Sequence, residues 1–106
     1  MTFKLDIQTA DDLAQEALQK AKDDARAECR NRIVAVCDET AQLNLAAAVA
    51  AGMLTAEQVG IYRIGLGWVD QLRNSWEGIA VEGRDPQDDA NWPAVPPGVT
   101  ELASAF

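Results

Sequence analysis

Residues 43–59, LNLAAAVAAGMLTAEQV, constrain this chain more than any other stretch. The first half is apolar on nearly every face, which in a helix means burial on nearly every side. Gly52 then supplies the left-handed residue that commonly ends a helix. Thr55 follows as an N-cap, and Gln58 three residues later completes a capping box. Leu54 before the cap and Val59 after it form a hydrophobic staple. One helix must stop and another start within a few residues, and so short a link makes the two antiparallel neighbours. The expectation is an all-α helical hairpin with tails.

Upstream of this turn, neither proline nor glycine occurs before Gly52. Thr9 can cap a helix there, with Asp11 and Asp12 at its positive end. The apolar stripe Ala14, Leu18, Ala21, Ala25, Cys29, Ile33, Val36, Thr40, Leu43, Ala47 and Ala50 follows the helical repeat. From Ile33 onward its steps alternate as a and d positions do, a coiled-coil-like seam. One long helix over residues 9–52 is therefore expected.

Downstream, Val59, Tyr62, Leu66, Val69, Leu72, Trp76 and Ile79 mark the apolar face of a second helix over residues 55–81. Gly60, Gly65, Gly67 and Gly78 suggest close approach of the alanine-rich first helix. Because the second helix is shorter, residues from Ala10 to about Ala25 should project beyond it. An arm of that length is marginal alone, so a partner helix and an oligomer are expected.

The two ends read differently. Phe3, Leu5 and Ile7 alternate with polar residues, a short strand pattern within an extended arm over residues 1–8, which is either a frayed tail or an edge that pairs with another chain. After Val81, Gly83, Pro86, Pro93, Pro96, Pro97 and Gly98 forbid a long helix, and Asp85, Asp88 and Asp89 make the segment acidic. Residues 82–106 read as an extended acidic and proline-rich tail, with Trp92 docked on a helix face. The last residues form either a helical turn or a binding tail ending in Phe106. The whole chain is one domain.

The net charge of −8 is spread along the chain and disfavours nucleic acid and anionic membranes, which need a basic footprint. No stretch is apolar for long enough to span a bilayer, and nothing at the start resembles a signal peptide, so the reading is cytoplasmic. Histidine is absent. Without it neither Cys29 nor Cys37 has an activating base, no paired carboxylates stand out, and no metal-ligand or cofactor pattern is present. The expectation is a protein that binds, not an enzyme. Arg26, Arg30 and Arg32, interleaved with Glu28, read as a solvated helix face.

Candidate partner-binding residues are Phe3, Leu5, Ile7, Leu18, Ile33, Val36, Trp92 and Phe106. Cys29 and Cys37 lie about 12 Å apart on one helix and cannot bridge each other there. They are either core thiols or, being equidistant from Ile33, an intermolecular disulfide between two crossing helices.

A set of short motifs also carries a resemblance. Leu54-Thr55-Ala56-Glu57-Gln58, then Tyr62-Arg63, Leu66 and Arg73, and finally Trp92-Pro93-Ala94-Val95-Pro96-Pro97 resemble small proteins of tailed bacteriophages that carry L-T-x-E-Q, a later Y-R and a terminal W-P-x-x-P. Those proteins are commonly assigned as tail-assembly or tail-fibre-assembly chaperones. The resemblance covers about half the chain. It implies a non-enzymatic assembly factor that binds a tail-fibre, tail or baseplate protein in the host cytoplasm. Family chaperones often add a β-rich N-terminal domain, which this chain lacks, and place W-P-x-x-P nearer the second helix. Two alternatives stand beside that role: a permanent virion part, such as a helical adaptor joining fibre and baseplate, and a small cytoplasmic regulatory protein.

Overall fold

In the computed structural model, which describes residues 9–106, the chain is all-α: 76% helical, with four helices and no strand among the described residues. The strand expected at Phe3, Leu5 and Ile7 lies outside the described residues.

Helix α1, Ala10–Val36, starts as its sequence dictates. The Thr9 hydroxyl accepts the Asp12 amide and the Asp12 carboxylate accepts the Thr9 amide, a complete capping box. The helix does not continue to Gly52. It ends at Cys37, and α2, Glu39–Ala50, leaves at a 60° bend. The cause is local: the Asp38 carboxylate accepts the Ala41 amide at 2.8 Å and so caps a new helix. The Gln42 side chain donates to the orphaned Cys37 carbonyl at 2.8 Å. This corrects the single long helix over residues 9–52, and with it the seam from Ile33 to Ala50. Beyond the bend, Ala41, Leu45 and Ala48 are buried, while Thr40 is exposed and Leu43 is 72% exposed.

The turn after α2 forms as expected. Gly52 has φ +70°, and the Met53 amide donates to the Ala48 carbonyl, the long bond of a Schellman motif. Thr55 and Gln58 make the capping box of α3, Ala56–Val81. This helix runs back antiparallel to α1, so that Arg26 meets Trp76 while Ile33 and Val36 share a cleft with Trp68 and Val69. Ala25, Cys29 and Ile33 bury against it, and Trp68, Leu72, Ile79 and Trp92 complete the core. The hairpin partner of α3 is thus α1, not the helix that immediately precedes it.

The bend opens a wedge at the α2 end, and the tail fills part of it. Helix α4, Val99–Ser104, packs on α3, α2 and α1 through Val99, Leu102 and Ala103. Residues 82–106 are therefore not an extended tail throughout: a 3-10 turn, Asp89–Asn91, and α4 interrupt them. The glycines of α3 do not admit α1 either. A side chain at Gly60 or Gly67 would meet open space, and one at Gly65 would meet Val99 of α4.

At the other end, residues 10–20 of α1 are all exposed and project past α3. The molecule measures 68 × 27 × 16 Å, with a radius of gyration of 19.1 Å, against about 13 Å for a compact chain of this size.

Candidate functional site

Two arrangements bring functional side chains together, and the first is a pin. The loop after α3 is acidic and proline-rich, and Arg32 of α1 holds it. Its guanidinium stands 2.9 Å from Asp89, 2.9 Å from Glu28 and 5.3 Å above the Trp92 ring. It also donates, at longer range, to the Pro86 and Gln87 carbonyls. The Nε–Glu28 contact is an ion pair without hydrogen-bond alignment. Trp92 is buried beneath, and its indole donates to the Pro86 carbonyl at 2.8 Å. Trp68 donates to the Pro93 carbonyl at 3.1 Å. The two tryptophans thus satisfy carbonyls of a segment that cannot satisfy them by helix formation. Asp85 and Asp88 tighten the loop by accepting the Gln87 and Ala90 amides.

The second arrangement is the wedge. Gly98, at φ +86° and packed against Ile61, turns the chain into α4. Between α4 and the bend lies an apolar cleft of about 230 Å³, walled by Val36, Leu45, Tyr62, Leu66 and Leu102, with Cys37, Gln42 and Arg73 at its polar positions. That is below the ~300–1,000 Å³ of ordinary small-molecule sites. It suits an inserted apolar side chain better than a cofactor. The rim residue Leu66 is half exposed, and the Asn44 amide ties the chain's end to α2 through the Phe106 carbonyl.

Among the described residues picked out from sequence, Leu18 and Phe106 remain at the surface, 38% and 37% exposed, at opposite ends of the chain. Ile33 and Trp92 are buried under α3 and the loop, while Val36 is half-buried against that core and walls the cleft. Cys29 is buried in the same core, and Cys37 is half-buried beside the bend; both are free thiols. Burial pushes both thiols up, with the Arg73 charge opposing at Cys29 and Asp38 reinforcing at Cys37. Two first helices crossing at Ile33 would have to displace α3, which removes the geometric case for the symmetric disulfide.

Sequence reasoning missed Arg32 and Trp68. By sequence Arg32 belongs to a solvated face, yet its side chain is only 20% exposed. The available signal is the acidic stretch Asp85, Asp88, Asp89, which holds more acid than its one neighbouring base, Arg84, can pair.

No family model, curated protein or solved structure matches this chain.

Proposed function

We propose that this protein acts by binding, as an assembly factor that accepts an apolar segment of another protein in the wedge between α2, α3 and α4. The observation that supports this reading is the open apolar cleft beside α4, bordered by half-exposed Leu66. A folded protein gains nothing from leaving such a recess unfilled, because its lining forgoes packing contacts.

The motifs around Thr55 and Trp92 suggest the partner class: a tail, tail-fibre or baseplate protein of a tailed bacteriophage. On this reading the proline-rich motif is internal framework, since Trp92 is buried under Arg32, and recognition falls to the wedge. A second reading, a permanent adaptor within the tail, is favoured by the 68 Å length of the molecule.

Co-expression with the neighbouring fibre or tail proteins tests the binding. Leu66→Asp, on the half-exposed rim, should abolish co-purification while leaving helix content and melting temperature near those of the parent. Capture undiminished by that change would exclude the wedge. Mass spectrometry of purified virions then separates the two roles: fixed stoichiometry marks an adaptor, and absence marks a factor that leaves.

A further inference from the structure

The apolar wedge does not close at its polar positions. It adjoins a second cleft of about 350 Å³ where α1, α2 and α3 meet, and Ile33, Gln42 and Arg73 line both. Arg26 and Arg30 of α1, Arg73 of α3 and Trp76 border this second cleft, with Glu39 the one acid among the described residues that line it. The chain as a whole carries 17 acidic and 9 basic side chains. Three of those nine converge here, so the local charge is opposite to that of the molecule.

Two of the three arginines are unpaired. Arg30 is engaged, at 3.2 Å from Glu39, and those two charges largely cancel. Arg26 and Arg73 make no hydrogen bond or ion pair among the described residues, although Asp70 and Glu77 lie one turn to either side of Arg73. Arg26 lies 4.9 Å over the Trp76 ring, a contact that uses its charge and leaves its N–H donors open. Trp68 and Trp92 donate to proline carbonyls, whereas the indole N–H of half-buried Trp76 meets no acceptor among the described residues. The Gln42 amide nitrogen is already committed to the Cys37 carbonyl. The open groups of this cleft are therefore donors, set beside an apolar recess.

Resting on the reading of the wedge as a binding site, we propose that the segment it accepts carries a carboxylate next to its apolar anchor, held in the second cleft by Arg73 and Arg26. That carboxylate is an Asp or Glu side chain or the segment's own C-terminus. Both present the same planar pair of oxygens, which an arginine fork meets with two parallel hydrogen bonds. A nucleic acid is a poor occupant, because a polyanion would approach a molecule of net charge −8. A basic residue at the same place in the segment would face two unpaired arginines, so the cleft rejects as well as selects.

Peptide titration of the full chain tests this, followed by nuclear magnetic resonance. Three probes are built of alanines around one leucine. In the first, capped at both ends, two glutamates follow the leucine; in its capped twin, two glutamines do; the third ends on the leucine with a free carboxyl. The Trp76 indole resonance reports the basic cleft, and the Leu66 and Leu102 methyl resonances report the wedge. The glutamate peptide should shift both sets and bind about fivefold or more tighter than its twin. That advantage should vanish at about 1 M salt, where charges are screened beyond ~3 Å. It should vanish too in Arg73→Gln, whose site is exposed and whose melting temperature should stay near the parent's. Arg63→Gln, on the same helix but bordering neither cleft, should keep it, which separates the site from the loss of one positive charge. The third probe tells which carboxylate is preferred, and either one exceeding the glutamine twin supports the assignment. Equal binding of all three, each lost in Leu66→Asp, would overturn the carboxylate and retain the wedge. An advantage undiminished by Arg73→Gln, or no shift from any probe at about 5 mM, would overturn it as well. Glutamate binding that survives Leu66→Asp but not Arg73→Gln would overturn the shared segment and the wedge reading beneath it.

Discussion

The two halves of α1 share one helical repeat and one alanine-rich composition, yet their surroundings are opposite. Residues 10–20 are uniformly exposed, whereas Ala25, Cys29 and Ile33 lie in the core under α3 and Trp92. Periodicity thus tells which residues share a face, but not whether anything covers it. Coverage here depends on where α3 ends, at Val81, and on the pinned loop that follows. Alanine hides the difference, because it fits a close helix contact and a solvated helix equally well.

The largest expected effect tests what covers the inner half. Trp92→Ala removes a buried indole, its bond to the Pro86 carbonyl and the ring under Arg32. It should cost about 3–5 kcal/mol, lowering the melting temperature and releasing the loop to proteolysis near Asp88. If stability hardly moved, the pin would be an incidental contact, and the inner half of α1 would rest on α3 alone.

The comparison itself is broken or sharpened by a matched pair. Ala25 is 0% exposed, so Ala25→Leu overpacks a filled site and should destabilise by about 1–3 kcal/mol. Ala14→Leu, on the same stripe but exposed, should stay within about 0.5 kcal/mol. Equal effects in thermal melts would mean that the two halves are not as different as their exposure makes them.

How much of this was legible follows from which interactions are local. The caps at Thr9 and Thr55, the left-handed Gly52 and the span of α3 depend on residues within four positions of each other. They were readable directly. The stripe Ala25, Cys29, Ile33 was readable too, because α1 is regular there. The break at Cys37 was not: Asp38 interrupts an unbroken apolar period by capping the Ala41 amide and starting a new helix. Nor was the burial of Trp68 and Arg32, since their partners lie 25 or more residues away, at Pro93 and Asp89. The wedge follows from the bend, so it was hidden for the same reason.

A smaller effect, about 1 kcal/mol, checks that explanation of the bend. Asp38→Ala loses the bond to the Ala41 amide and should destabilise about as much as Thr55→Ala does at the start of α3. The two differ in what remains. With Asp38 gone, only packing and the Gln42 bond to the Cys37 carbonyl oppose a straight α1–α2 helix, so helix content should hold or rise slightly while α4 loosens. A fall in helix content would show that α2 needs its own cap to form.

The smallest effect concerns the two thiols, one on each side of that break. Burial raises both, Cys29 from within the core and Cys37 from beside the bend, where Asp38 adds to the shift. A raised thiol pKa means that the folded chain holds its proton after the unfolded chain has lost it. Unfolding then releases a proton, and stability falls as pH rises through the unfolded value of about 8.5. Below that pH both states are protonated and the thiols contribute no slope. Denaturant melts of the parent should weaken as pH rises above about 8.5, and Cys29→Ala should flatten part of that decline, measured as the difference between the two proteins at each pH. Thiol labelling under native conditions supplies the kinetic counterpart. Half-buried Cys37 should react first, and Cys29 only on opening of the α1–α3 core. Simultaneous labelling would mean that the covered half of α1 opens as readily as its bend, and the contrast between the two halves would lose its physical basis.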